Sequence, residues 1–271
     1  MRKSKLGQHF LVNRRIAEKM TQTFLPVEGP ILEIGPGKGI LTQYLLNLCP
    51  GCRIIAVELD STLFCELKNR FGESIDILNR DLLQVALDEL FPGENEVVNV
   101  IGNVPYYISK ELLDWVIAHH KKIKKGMFMM QKEFVHKVIS PAAAQAILFT
   151  WLYRVEKLFD VQPGSFSPRP GVKSSVFLFE RILNPLEKDI DAMDFYGFLH
   201  QCFKNRRKTL FNNLAAAYEP ETCSEIFKKL RIDPKVRAEQ LTLKDFLDMN
   251  RLLCLAPIYA GETKKYFPLD K

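Results

Sequence analysis

Asn103-Val104-Pro105-Tyr106 puts a side-chain amide, a proline and an aromatic ring within four residues, downstream of a glycine-rich turn at Glu33-Ile34-Gly35-Pro36-Gly37-Lys38-Gly39. An exocyclic amine on a nucleobase is a poor nucleophile, because its lone pair is delocalised into the ring. Hydrogen-bond acceptors must draw that pair out before the amine can attack an electrophile. Asn103 offers a side-chain carbonyl, and Pro105, which has no N–H, stiffens the chain so that a backbone carbonyl can aim at the second amine proton. Tyr106 gives a base a face to stack on, a contact worth roughly 1–3 kcal/mol per base that demands no particular sequence. Taken out of context, the same residues are an Asn-Pro turn after a buried strand, and four-residue motifs recur by chance.

The elements upstream narrow the reading. Pro30-Ile31-Leu32-Glu33-Ile34 is a short apolar run bounded by turn residues, and a helical pattern begins at Gly39-Ile40-Leu41-Thr42. Strand, glycine turn and helix follow one another. The glycines permit close approach of a ligand, and the helix N-terminus adds unpaired N–H groups. A second apolar run, Arg53-Ile54-Ile55-Ala56-Val57, ends at Glu58, an acid placed to hold a ribose diol. That suits either a nicotinamide dinucleotide or S-adenosylmethionine. Asp81, after Ile75-Asp76-Ile77-Leu78-Asn79, could accept from an adenine amine, and Lys38 is the one cation in the glycine turn. A donor without phosphates fits better. A solvated acid at a strand end is the plain alternative for both Glu58 and Asp81.

Five segments in order resemble the ribosomal RNA adenine dimethyltransferases: Lys5-Leu6-Gly7-Gln8-His9-Phe10-Leu11, the Glu33-Ile34-Gly35-Pro36-Gly37 turn, Asn103-Val104-Pro105-Tyr106-Tyr107-Ile108-Ser109, Met130-Gln131-Lys132-Glu133, and Phe166-Ser167-Pro168-Arg169-Pro170-Gly171-Val172-Lys173-Ser174. A sixth, Phe203-Lys204-Asn205-Arg206-Arg207-Lys208-Thr209-Leu210, is similar to the branch that modifies small-subunit rRNA. The chain departs from the family at position 9, where His replaces the usual Asn, at Val104, and in a short stretch Ser140-Pro141-Ala142-Ala143-Ala144-Gln145 where relatives carry a longer segment.

The resemblance implies a Rossmann-like class I S-adenosylmethionine-dependent methyltransferase fold. It implies that His9, Leu11, Gly35, Gly37, Glu58, Asp81 and Asn103 line the S-adenosylmethionine site, with Glu58 on the ribose hydroxyls and Asp81 on the adenine. Asn103, the Pro105 carbonyl and Tyr106 would grip the target amine, with Phe166 closing on the other side of the base. The implied activity is methyl transfer to N6 of two adjacent adenines near the 3′ end of 16S rRNA, giving N6,N6-dimethyladenosine. A large-subunit rRNA methyltransferase of the macrolide-resistance type would share the catalytic residues. A non-catalytic ribosome assembly factor is a third reading.

Composition is compatible with these readings without choosing among them. A chain of 271 residues with 47% hydrophobic content can bury a sizeable core, and its net charge of +6 is moderate, so a nucleic-acid role rests on where the charge lies. Three basic clusters stand out: Arg2, Lys3, Lys5, Arg14 and Arg15; Lys121, Lys122, Lys124 and Lys125; and Lys204, Arg206, Arg207 and Lys208, expected to begin a C-terminal helix and to contact rRNA. Solvated helix ends are the bland alternative. Six cysteines form no metal pattern, since Cys49-Pro50-Gly51-Cys52 is a lone pair without ligand histidines, so reduced thiols and no metal are expected. His119-His120 reads as an exposed helix end. No apolar run approaches about 18 residues, so no membrane span is expected. The acid-free residues 1 to 17 contain the Gly7-to-Leu11 motif and are read as part of the mature chain. A cytoplasmic monomer is expected.

Strands at roughly 30–34, 53–58, 74–79, 97–102, 126–131 and 174–180, with one more near Lys157 to Val161, alternate with helical stretches. That pattern describes a mostly parallel sheet covered on both faces. Beyond Asn184-Pro185 apolar residues such as Phe195, Leu199, Leu210, Phe227, Phe246 and Leu253 recur at helical spacing. The expected domains are a catalytic one over 1–183 and a small all-helical one over 184–271.

Overall fold

The computed structural model describes residues 8–140, 142–182 and 190–254. Lys5, Leu6 and Gly7 of the first motif, Arg2 and Lys3 of the N-terminal cluster, Pro141, and the Asn184-Pro185 boundary lie outside the described residues. The chain divides into two compact units, Met1–Ile139 with Leu152–Ile182, and Ser140–Trp151 with Leu183–Lys271.

The first unit is built on a seven-stranded sheet. Its strands are β2 (Ile31–Ile34), β3 (Ile54–Glu58), β4 (Asp76–Asn79), β5 (Val98–Asn103), β6 (Ile123–Gln131), β7 (Tyr153–Val161) and β9 (Ser174–Arg181). They lie in the order β4-β3-β2-β5-β6-β9-β7. Neighbours from β4 to β6 run parallel, while β9 is antiparallel to both β6 and β7. A separate two-stranded ribbon pairs β1 (Phe10–Leu11) with β8 (Phe166–Ser167). The central strands read Ile-Leu-Glu-Ile and Ile-Ile-Ala-Val-Glu and are buried at every position, as strands covered on both faces require.

Helices α1 (Arg14–Phe24), α2 (Ile40–Leu48) and α3 (Ser61–Phe71) place Ala17, Met20, Phe24, Leu41, Leu45, Leu67 and Phe71 in one buried cluster with Ile31, Ile54, Ala56 and Ile101 of the sheet. Burying a side chain such as Phe24 contributes on the order of 1.5–3 kcal/mol. Local chemistry sets where α1 and α3 begin. Asn13 accepts from Ile16 N at the start of α1, and Asp60 accepts from Thr62 N and Leu63 N at the start of α3. Three further helices, α4 (Leu87–Leu90), α5 (Ser109–Ala118) and α6 (Lys132–Ile139), complete the unit.

Strand order reverses between β2 and β5, the place where an open α/β sheet leaves a crevice beyond its carboxyl ends. Register makes those ends level: Ile34 stands opposite Val57 on one side and Gly102 on the other. A Cβ at Gly102 would sit 2.6 Å from the Ile34 carbonyl oxygen, so only glycine lets β5 pack here.

The second unit takes in α7 (Ala144–Leu152), from the span expected to be catalytic, and α8 (Ala192–Phe203), α9 (Leu210–Leu214), α10 (Pro220–Leu230) and α11 (Leu243–Cys254), which carry the apolar residues expected beyond residue 184. Phe195, Leu199, Leu210 and Phe246 are fully buried. The Trp151 and Phe195 rings meet edge-on at 5.2 Å, and Phe211 meets Phe227 at 5.5 Å.

Cys49 and Cys52 stand side by side across the Pro50-Gly51 turn, their Cα atoms 5.5 Å apart. Two expectations need correcting. His120 is buried rather than exposed, because its Nδ1 and that of His119 fold back onto the Ile117 and Trp115 carbonyls at 2.9 and 2.8 Å. The cluster Lys204, Arg206, Arg207 and Lys208 lies in the exposed turn between α8 and α9 and not in a helix, since Thr209 caps the helix that starts at Leu210. No helix among the described residues is long and apolar enough to cross a membrane.

Candidate active site

A cleft of about 1100 Å³, counting its open mouth, lies at the carboxyl ends of β2, β3 and β5. Its wall includes His9, Leu11, Gly35, Gly37, Glu58, Asp81, Asn103, Pro105 and Tyr106, that is, every residue expected to hold the donor or the target amine except Phe166. Residues as far apart in the chain as His9 and Tyr106 converge there, beyond strand ends that lie level.

The glycine turn forms the floor. Gly35 N donates to the Val57 carbonyl at 3.0 Å, which ties the turn to β3. Gly37 has φ +57°, and a Cβ there would stand 3.0 Å from the Phe10 ring. Any side chain at Gly37 is therefore strained in backbone and in space. Gly37 N donates to Glu58 Oε2 at 3.0 Å and Asp60 N to Glu58 Oε1 at 2.9 Å. Burial raises the Glu58 carboxyl above the ordinary range, with the two N–H donors pulling the other way. Each carboxylate oxygen keeps acceptor capacity for a hydroxyl. Asp81 Oδ1 accepts from Leu83 N at 3.0 Å, which turns the Asp81 carboxylate at the end of β4 toward the cleft and leaves Oδ2 as an acceptor.

The opposite wall comes from β5 and the turn after it. Asn103 Nδ2 donates to the His9 carbonyl at 3.0 Å, so Oδ1 is the amide's remaining acceptor. The Pro105 carbonyl already accepts from Ile108 N at 3.2 Å and has a second lone pair. The Tyr106 ring lies 5.5 Å from the His9 imidazole, whose Nδ1 is 2.8 Å from the Pro168 carbonyl. The Tyr106 hydroxyl is 2.7 Å from Ser174 Oγ. Burial raises the Tyr106 phenol, opposed by the Ser174 bond.

Phe166 belongs to the β1–β8 ribbon beside this wall. Its ring is 4% exposed and belongs to the same apolar cluster as Leu11, Val161 and Val176. Phe166 pairs in the β1–β8 ribbon with Leu11, which itself lines the cleft.

The structure adds residues that sequence reasoning passed over. Gln8, Phe10, Leu83 and Tyr107 line the cleft, and burial together with the Asp81 and Glu58 charges raises the Tyr107 phenol. Behind the glycine turn, fully buried Glu33 accepts from the Thr42 hydroxyl at 2.7 Å, while its Oε1 has no partner among the described residues. Burial pushes this carboxyl up to about 7, partly offset by Thr42. The available signal for Glu33 was an acid in an otherwise apolar strand.

The cleft suits a donor with an adenosine end and no phosphates. Acceptors at buried Glu58 and partly exposed Asp81 match hydroxyls and an amine. Of the two lining cations, Arg80 is paired with Glu89 at 2.7 Å and Lys38 Nζ lies over the Phe10 ring at 5.3 Å.

Comparison with known proteins agrees with this geometry. The sequence matches the family described as ribosomal RNA adenine dimethylase over residues 1–254. The ribosomal RNA small subunit methyltransferase A of Acidobacterium capsulatum is 36% identical over 93% of this chain and 91% of its own. Two solved structures share the fold: a dimethyladenosine transferase from Plasmodium falciparum, with TM-score 0.73, 24% identity, and 89% and 96% of the two chains covered, and the 23S rRNA methyltransferase ErmE, with TM-score 0.70, 21% identity, and 90% and 99% covered. A match of this kind along nearly the whole sequence, on a sheet that levels its glycine turn with its Asn-Val-Pro-Tyr motif, means that the chain belongs to the ribosomal RNA adenine dimethylase family.

Proposed function

We propose that the chain transfers methyl groups from S-adenosylmethionine to N6 of two adjacent adenines near the 3′ end of small-subunit rRNA, giving N6,N6-dimethyladenosine. The observation that carries this is the orientation of Asn103. With Nδ2 committed to the His9 carbonyl, Oδ1 is the atom available to accept from an amine. The full-length likeness to a small-subunit enzyme supports the choice of RNA.

S-adenosylmethionine, when bound, supplies an electrophilic methyl on a sulfonium. Glu58 would hold the ribose hydroxyls and Asp81 the adenine amine, with His9, Leu11, Gly35 and Gly37 shaping the rest of that pocket. Asn103 Oδ1 and the Pro105 carbonyl would accept the two protons of the target amine and favour the positive charge that develops on nitrogen. Tyr106 would hold the base face and set the line of attack. The alkylated amine is acidic and loses its proton to water, so no dedicated base is required. Phe166, in the ribbon with Leu11, would close on the other face of the base. The exposed turn Lys204, Arg206, Arg207 and Lys208 of the helical unit would contact rRNA phosphates. A cytoplasmic monomer completes the reading.

The test is transfer of labelled methyl from S-adenosylmethionine to small subunits that lack the modification, with large subunits and naked rRNA alongside. Dimethyladenosine confined to the small subunit is the expected product. Label on the large subunit would move the chain to the other branch, and donor binding without label would indicate an assembly factor.

A further inference from the structure

Strand β9 reads Ser-Ser-Val-Phe-Leu-Phe-Glu-Arg, so two serines begin a run that is otherwise apolar through Phe179. Both serines are fully buried. A buried hydroxyl costs free energy unless it is bonded, so each needs a specific partner. Ser175 Oγ donates to Asp160 Oδ1 at 2.7 Å, and Asp160 is also bonded to Lys132 and Lys157 at 2.6 and 2.7 Å. Ser174 Oγ lies 2.7 Å from the Tyr106 hydroxyl, 68 residues away in the chain.

Ser174 has little freedom to move. It stands opposite Gln131 of β6 and Val161 of β7, between two strands that hold its backbone in register. Tyr106 is less constrained. It opens the short 3₁₀ turn Tyr106–Ile108, where no residue is fully buried, and its ring borders the cleft half-buried. A phenol ring at a cleft edge can turn about χ1 and χ2, and a stacking face works only when its plane is fixed. The hydroxyl bond fastens the far end of the ring to the rigid sheet, and the His9 imidazole 5.5 Å away restricts it from the side.

We infer that Ser174 is a positioning residue for methyl transfer: through its bond to the Tyr106 hydroxyl it holds the ring at the angle on which the target base stacks. The inference rests on the function proposed above. It gives the tyrosine hydroxyl a role distinct from proton transfer and from donor binding, so its loss acts on use of RNA and leaves donor affinity alone.

The experiment is a double-mutant cycle with Ser174→Ala and Tyr106→Phe, reading kcat/KM for RNA, the Kd for S-adenosylmethionine and the thermal midpoint. Loss of one neutral hydrogen bond predicts that each single variant lowers kcat/KM about fivefold. The double variant should be no worse than the poorer single, because both remove the same bond. Donor Kd should stay unchanged, and Tyr106→Ala should lose considerably more. Independent, multiplying losses would overturn the inference, as would wild-type activity in Tyr106→Phe, a result that stands even if Ser174→Ala fails to fold. A wild-type protein that transfers no methyl to RNA would instead remove the function on which the inference depends.

Discussion

The Asn103 side-chain amide donates to the His9 backbone carbonyl at 3.0 Å, and this bond decides which way round the amide sits. An asparagine in a cleft can present either a carbonyl or an amine, and only the carbonyl can accept from a target amine. The bond joins a residue of β1's approach to the end of β5, 94 positions away in sequence. His9 is in turn held by the Pro168 carbonyl at 2.8 Å. The orienting acceptor is a backbone carbonyl, which any residue type at position 9 would supply.

Asn103→Ala removes an acceptor aimed at developing charge, and should lower the methyl-transfer rate about 100-fold, on the order of 3 kcal/mol. Asn103→Asp should be as poor, since a carboxylate cannot donate to the His9 carbonyl. Donor affinity measured by calorimetry should change little in either variant. Single-turnover rates equal to wild type would remove Asn103 from the proposed role.

Glu58→Gln should weaken S-adenosylmethionine binding about 10- to 100-fold, the loss expected for a hydrogen bond to a charged acceptor. Two backbone N–H groups, from Gly37 and Asp60, point at this side chain, and a glutamine amide would confront one of them with a second donor. Because burial raises the Glu58 carboxyl, wild-type affinity should fall as pH drops through that raised value. The Gln variant should show a flatter profile in the same titration, and a parallel profile would assign the pH dependence elsewhere.

Much of this arrangement was legible in the chain. Runs such as Ile31–Ile34 and Ile54–Glu58 are short, apolar and bounded by turns, so period and punctuation locate them to within a residue or two. Strand β7 was placed too late, near Lys157 rather than Tyr153, because apolar Trp151 and Leu152 just before it finish a helix, and local pattern does not mark the change of period. What stayed hidden depends on partners far away in sequence. Phe166 reads as a free aromatic until its strand pairs with Leu11. Lys124 and Lys125 read as a basic patch until Lys124 meets Glu28 at 2.6 Å and Lys125 reaches the Phe24 carbonyl at 2.8 Å. The bond between Tyr106 and Ser174 has no local signature beyond a polar residue opening an apolar strand.

Glu33 should make stability depend on pH. Its carboxyl is raised to about 7 in the folded chain, from an ordinary value of 4.5, so the folded state binds more protons between those limits. Stability from this group is therefore full below pH 4.5 and declines as pH rises toward 7, by about 3 kcal/mol in all. Glu33→Gln, which keeps the shape and an acceptor for Thr42, should match wild type near pH 5 and exceed it near pH 8 in urea midpoint. An equal pH dependence in the two proteins would mean that Glu33 does not carry it.

The turn from Lys204 to Lys208 should set part of the salt dependence of RNA binding. Its four cations are exposed, and the turn is shaped from beneath by Asn213, whose amide donates to the Cys202 and Asn205 carbonyls at 2.9 and 3.2 Å. Each phosphate contact contributes about 0.7 to 0.9 to the slope of log affinity against log salt. Arg206→Ala with Arg207→Ala should therefore reduce that slope by about 1.5, measured by anisotropy with labelled rRNA, while the rate at saturating RNA holds. Lys124→Ala is the matched control, because that ammonium is already paired with Glu28 and should leave the slope unchanged. If both variants shift the slope equally, the turn makes no special contact and only net charge is being felt.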